Sequence, residues 1–194
     1  MIIKNVEFVK SAKEKDQTFG MPEVAFVGRS NVGKSSLINY ITNNKIAKVS
    51  STPGRTRLIN YFKVNGGQFM LVDLPGYGFA KGNKTEVNDW SQMMEGYFAN
   101  NENLKQVLLL LDIRHDPSID DLKMQHYLMF YNIPYTIIAT KCDKLSKSQV
   151  QNQKFRLASK LKVGVDNIIC ESSTNRTGAE QILSRLDQFI GGAE

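Results

Sequence analysis

The sequence predicts an α/β fold, a three-layer α/β/α sandwich on a mostly parallel six-stranded sheet with helices on both faces. Three observations support that class. Apolar runs of strand length alternate with helical apolar periods along the chain, the pattern of repeated strand–helix–strand crossovers. The 194 residues suffice for one such domain with a sizeable core and are too few for two full ones. Hydrophobic residues at 41% and charged residues at 23% argue against wholesale disorder.

The six strands are expected at Val24–Gly28, Leu58–Val64, Phe69–Leu74, Gln106–Asp112, Tyr135–Thr140 and Asn167–Glu171. Residues 1–9 could add an edge strand. A first helix begins at Gly33, with Leu37, Ile38 and Ile41 on one face. A second carries Val87, Trp90, Met94, Tyr97 and Phe98 at spacings of three and four. Met124, Tyr127, Leu128 and Tyr131 mark a third. The fourth opens with Ser146 and Gln149, and the fifth with Thr177 and Glu180, both in capping-box spacing. That fifth helix is expected to bury Ile182, Leu183, Leu186, Phe189 and Ile190 and to stop at Gly191-Gly192.

Several function classes drop out. The longest apolar run, Val107 to Leu111, is far short of the ~20 residues of a membrane-spanning helix. The N-terminal stretch meets charge at Lys4 and Glu7 and lacks an apolar signal region, so a cytoplasmic protein is expected. Two cysteines and two histidines make neither a disulfide framework nor a zinc cluster. The net charge of +6 is compatible with a polyanionic partner and equally with ordinary solvated charge. Two polar, basic stretches with Gly and Pro, 43–57 and 75–86, interrupt the regular elements, and loops of that length are usually functional.

Four motifs then fall, in order, at strand ends. Gly28, Arg29, Ser30, Asn31, Val32, Gly33, Lys34 and Ser35 fit G-x-x-x-x-G-K-[ST] between a strand and a helix. The glycines let successive N–H groups surround phosphate oxygens, and the helix N-terminus adds its positive end. Lys34 brings a point charge to the β/γ-phosphates, and the Ser35 hydroxyl suits Mg²⁺. Asp73, Leu74, Pro75 and Gly76 follow, the carboxylate placed to hold Mg²⁺ through water and Gly76 to offer an N–H to a γ-phosphate. In Thr140-Lys141-Cys142-Asp143 the acid can accept two hydrogen bonds from guanine, whereas adenine would present a repelling lone pair. Ser172 and Ser173 could offer backbone N–H groups to the guanine carbonyl. Together these indicate a guanine-nucleotide switch binding GTP and GDP.

The chain resembles the EngB-type subfamily of bacterial ribosome-biogenesis GTPases, within the TrmE-Era-EngA-EngB superfamily. The resemblance lies in GRSNVGKSSLIN (28–39), STPGRTRLINYF (51–62), DLPGYGFAK (73–81), RHDPSIDD (114–121), TKCD (140–143) and ESS (171–173). It implies one P-loop GTPase domain over 1–194 that turns GTP into GDP and phosphate. It also implies a role with the large ribosomal subunit, its RNA and proteins, during assembly, and an association with cell division and septation. Ser35 and Thr56 become direct Mg²⁺ ligands, Ser36 joins the nucleotide site, and Gly54, Arg55, Thr56, Arg57 and Leu58 become the part of switch I that closes over the γ-phosphate. Switch I spans about 43–57 and switch II about 75–86. Thr140 stands where the most widespread motif has Asn; its shorter side chain is expected to miss some contacts to base and P-loop. Glu171 departs from the apolar residue usual in the subfamily.

Hydrolysis in the isolated protein is expected to be slow, because Tyr77 follows the D-x-x-G motif where Ras-like enzymes place a water-orienting Gln. Lys34, Thr56, Asp73 and Asn31 are the catalytic candidates. The Asn31 side chain could hold K⁺ beside the β/γ-bridge or merely a switch I hydrogen bond. Lys45, Lys48, Arg55, Arg57, Lys81 and Lys84 suit contact with ribosomal RNA, whereas Lys154, Arg156, Lys160 and Lys162 suit a solvated helix face. Cys142 and Cys170 are expected near the guanine site as incidental thiols. A monomer that binds no membrane is expected. The two functional alternatives are a GTP-hydrolysing assembly factor and a nucleotide-gated RNA-binding module in which hydrolysis is incidental.

Overall fold

The computed structural model describes residues 1–16, 19–47, 58–78 and 84–190. Its strands are β1 (Val6–Ala12), β2 (Glu23–Gly28), β3 (Ile59–Val64), β4 (Phe69–Asp73), β5 (Leu104–Asp112), β6 (Tyr135–Thr140) and β7 (Ile168–Cys170). The helices are α1 (Lys34–Thr42), α2 (Lys84–Phe98), α3 (Ile119–Phe130), α4 (Lys147–Leu161) and α5 (Ala179–Ile190). The sheet therefore has seven strands rather than six, in the order β1-β3-β4-β2-β5-β6-β7. β1 and β3 pair antiparallel, as do β3 and β4, and the other four pairings are parallel.

The additional strand is the N-terminal one, shifted beyond the expected 1–9. Most of its residues are exposed, so it lacks a clean alternation of apolar and polar side chains. Long-range contacts hold it instead: Phe8 meets Phe62 edge-on at 5.6 Å, and the Asn65 side chain bonds Lys4 N and Ile2 O, both at 2.8 Å.

Each face of the sheet carries helices because the central strands are apolar on both sides. Phe26, Leu108 and Ile138 pack under Leu37 and Ile38 of α1 and Ile182, Leu186 and Ile190 of α5. On the other face Val27, Val107 and Leu109 meet Met94 and Tyr97 of α2 and Met124 and Leu128 of α3. α4 covers Ile137 and Leu111 through Leu157 and Leu161. Two expected core residues are not buried. Val87 is 52% exposed and Phe189 36%. The α5 stripe is a narrow i, i+4, i+8 ridge through Ile182, Leu186 and Ile190, and Phe189 lies beside it.

The fourth helix opens with the expected capping box, Ser146 and Gln149 bonding reciprocally. The box expected at Thr177 does not start α5, because Thr177 is tied back to Ser172 by backbone bonds of 3.0 and 3.2 Å. The first turn instead closes from Ile182 N to Gly178 O at 3.1 Å. Gly191-Gly192 lie outside the described residues. Among the described residues no helix is long and apolar enough to cross a membrane.

Candidate functional site

β2 lies between β4 and β5, so connections leave it in both directions and a crevice opens at its carboxyl end. The P-loop fills that end. Asn31 (φ 62) and Gly33 (φ 112) take left-handed backbone, the alternation that turns successive N–H groups toward one side. Lys34 begins α1 from this loop, and its ammonium donates to the Asp73 carboxylate at the end of β4, both groups being buried. Ser35 and Ser36 follow in the first helical turn, half-buried.

The chain leaving β4 runs against the P-loop. Leu74 N donates to Phe26 O at 3.1 Å, Tyr77 N to Gly28 O at 3.2 Å, and Ser30 N to Tyr77 O at 3.0 Å. Gly76 is required by this approach, since a Cβ there would stand 3.2 Å from both Gly28 O and Ser30 N. The Tyr77 hydroxyl points inward and donates to Asp121 Oδ1 at 2.7 Å. Burial, together with that carboxylate, raises its pKa well above the usual phenol range. Asp121 also completes the capping box of α3 with Ser118. The Tyr77–Asp121 bond carried no legible signal, because its partners are 44 residues apart.

Thr140 makes one contact to the P-loop. Its Oγ1 lies 2.7 Å from Val32 O and 3.1 Å from Leu111 O, a single proton serving these acceptors. Lys141, at φ 63, donates to Asn31 O at 2.9 Å and pairs with Asp112 at 3.0 Å. Burial alone would push the Asp112 carboxyl up, but Arg114 and Lys141 outweigh it and hold it well below the usual range. Asp112, held by Arg114, thus anchors the 140–143 turn through Lys141, an arrangement that spacing did not reveal.

Asp143 accepts from Ser172 Oγ at 2.7 Å and pairs with Lys144 at 3.0 Å, and the Ser172 bond, then Lys144, lowers its pKa. The part Ser172 plays therefore differs from the one expected. Its N–H is committed to Thr177 O, so its hydroxyl, not its amide, faces the 140–143 turn through Asp143. Glu171 is 2% exposed, accepts from Ser173 Oγ, and is pushed up to about 6 by burial. Its carbonyl accepts from Cys142 N at 3.1 Å, which joins the loops after β6 and β7.

Residues 23–141, which include most of this site, match the family described as 50S ribosome-binding GTPase. A probable GTP-binding protein EngB of Geotalea daltonii is 48% identical over 193 residues, covering 98% of this chain and 93% of that protein. The chain belongs to the EngB family of GTP-binding proteins. The EngB of Clostridium acetobutylicum is 47% identical over 199 residues, covering 100% of this chain and 98% of that one. The crystal structure of a probable GTP-binding protein engB superposes with a TM-score of 0.72 at 25% identity, over 87% of this chain and 98% of that one. Aquifex aeolicus Era shares the fold at 21% identity and a TM-score of 0.69, over 90% of this chain and 58% of that one. As an EngB-family member the chain is a P-loop GTPase.

The donor set of this EngB-type site fits Mg²⁺. A hydroxyl at Ser35 and a carboxylate at Asp73 are hard oxygen ligands, and no group of three or more His, Cys, Asp or Glu capable of holding a metal occurs among the described residues. Such a sparse set suits an ion that keeps waters and takes its remaining ligands from nucleotide phosphates. Gly54, Arg55, Thr56 and Arg57, with Lys48, Lys81 and the Lys84 side chain, lie outside the described residues. Leu58 is half-buried just before β3. Ahead of them Ala47 is pinned by two 2.8 Å bonds to the Asn39 side chain, leaving Lys45 exposed on the approach. On α4, Arg156 and Lys160 both bond Asp116 at 2.7 Å, so that set is partly neutralised by its own chain.

Proposed function

We propose that this chain is a slow GTPase that acts as a nucleotide-gated assembly factor of the large ribosomal subunit. It works as a cytoplasmic monomer, and its loss would impair cell division and septation indirectly. The observation that carries this proposal is that the match to a 50S ribosome-binding GTPase runs through the phosphate-binding residues themselves. The P-loop amides cradle the phosphates, and Lys34 exchanges its Asp73 partner for the β/γ-phosphate oxygens. Ser35 and Thr56 would hold Mg²⁺ directly and Asp73 through water, and the bound ion would supply charge neutralisation at the phosphate oxygens. The part of switch I from Gly54 to Leu58 closes over the γ-phosphate, and Gly76 offers its N–H from switch II. Asp143 reads the guanine edge, steadied by Ser172.

The inward Tyr77 hydroxyl supports slow intrinsic turnover, because it is engaged by Asp121 rather than free to orient water. Asn31 then offers a place for K⁺ beside the β/γ-bridge. Turnover is expected to be faster in KCl than in NaCl for the wild type and equal in both for Asn31→Ala. Equal wild-type rates would remove the cation.

Co-sedimentation with large ribosomal subunits tests the whole proposal. Retention with a non-hydrolysable GTP analogue and release with GDP are expected. Equal retention in both states would refute gating. If a Lys34 or Asp73 variant that retains GTP still leaves the particle normally, hydrolysis is incidental and the protein is a binding module.

A further inference from the structure

Two cysteines stand where the base-reading loops meet, and the chemistry proposed above uses neither thiol. Cys142 opens the turn that carries Asp143, and Cys170 ends β7 just before Glu171 and Ser172. Cys170 pairs with Ala139 across the β6–β7 ladder, and Cys142 N donates to Glu171 O at 3.1 Å. Register thus sets Cys170 beside Ala139, whose carbonyl Cys142 Sγ also reaches, so the two thiols share one junction. Both are free thiols and both are half-buried, so neither is sealed from small reagents. Cys142 Sγ lies 3.2 Å from Ala139 O, which accepts its single proton. The neighbouring Cys142 thiol, with Lys154 adding charge against burial, holds the Cys170 thiol below its ordinary range. The thiolate is the reactive form.

We propose that Cys142 and Cys170 form a hydroperoxide-sensitive dithiol that closes to a disulfide across the two guanine-reading loops. The Cys170 thiolate attacks one peroxide oxygen, forming an S–O bond as the O–O bond breaks. The departing oxygen takes a proton and leaves as water or an alcohol. Cys142 then gives up its proton and attacks the sulfenic sulfur. The S–S bond forms, the S–O bond breaks, and the oxygen leaves as water with that proton. Two electrons pass from the thiols to the peroxide, and exchange with a small thiol returns them.

The consequence follows from position, and it rests on the base-reading role proposed for Asp143. A disulfide draws two sulfurs to about 2.05 Å, closer than any non-bonded contact. Asp143 is adjacent to Cys142, and Ser172, whose hydroxyl steadies Asp143 at 2.7 Å, lies two residues beyond Cys170. Closing the disulfide therefore displaces the carboxylate from its guanine partners and weakens nucleotide binding.

The test uses the full chain, reduced and then treated with hydrogen peroxide. Expected are an intramolecular Cys142–Cys170 cross-linked peptide and GDP release about fivefold faster, reversed by dithiothreitol. Cys170→Ser should release GDP like the reduced wild type before and after peroxide. Recovery of only sulfinic acid or of intermolecular disulfides would overturn the dithiol. A quantitative cross-link that leaves GDP release unchanged would overturn its control of the site. If the cross-link forms but Asp143→Asn keeps full guanine preference, the dithiol stands and the base-reading assignment falls.

Discussion

Asp143 keeps its charge through two neighbours, the Ser172 hydroxyl and the Lys144 ammonium, which hold its carboxyl below the usual range. It is therefore an ionised acceptor at neutral pH, as guanine recognition requires. Asp143→Asn should shift preference from guanosine to xanthosine nucleotides, since xanthine has a carbonyl where guanine has an amine. Each charged hydrogen bond lost to guanine should cost about 1.5–3 kcal/mol, and titration calorimetry with both nucleotides checks it. One residue beyond the end of β7, burial and Ser173 govern a different acid. Glu171 has its folded pKa raised from 4.5 to about 6, so the folded chain binds its proton more tightly than the unfolded chain does. That contribution to stability is complete below pH 4.5 and is lost as pH rises through 6. Glu171→Gln should thus leave stability near pH 4.5 unchanged and raise it at pH 7.5, by at most about 2 kcal/mol. Urea melts at the two pH values measure this, and an equal shift at both would contradict it.

The junction of β7 and α5 depends on a residue without a side chain. Gly178 has φ +89, and a Cβ there would stand 2.5 Å from Cys170 O and 3.1 Å from the Glu171 Cα. Backbone, not a flexible side chain, would have to move. Gly178→Ala should destabilise the fold by more than about 2 kcal/mol through strain and displacement. Because the displaced segment leads directly to Ser172, GDP affinity should fall as well. Thermal melting and GDP titration read the two effects, and unaltered GDP affinity in the folded variant would detach this junction from the base-reading turn. α3 shows the complementary arrangement, in which one residue of a helix cap carries a long-range contact. Asp121 closes the capping box with Ser118 and simultaneously accepts from Tyr77, so the segment after β4 is anchored to a helix start across the crevice.

The net charge of +6 is unevenly available to a partner. Arg156 and Lys160 of α4 share Asp116, whereas Lys45, in the 43–57 stretch, stands exposed. Binding to large ribosomal subunits should weaken steeply with salt, as contacts to RNA phosphates release counterions. Replacing Lys45, Lys48, Arg55 and Arg57 together by Ala should flatten the log–log salt slope by up to about four contacts' worth. Co-sedimentation over a series of KCl concentrations checks it. An unaltered slope would move the contact to α4.

Local information in the chain was enough for the layer order, the five helices and six of the seven strands. Their apolar periods and caps involve residues within a few positions of one another, as Ser146 and Gln149 do. The motif residues were legible for the same reason: a phosphate-binding turn needs Gly, Lys and Ser at fixed short spacing, whatever surrounds it. Three-dimensional packing settled the remainder. β1 is a mostly exposed edge strand whose place is set by Phe62 and Asn65 far along the chain. Val87 and Phe189 have helical spacing suited to a core, yet the neighbouring elements do not reach them. The inward turn of Tyr77, the use of the Ser172 hydroxyl in place of its amide, and the meeting of Cys142 with Cys170 all depend on how distant segments register. A hydrogen bond or a thiol pair forms only where both ends arrive, and no spacing along one segment encodes the arrival of the other.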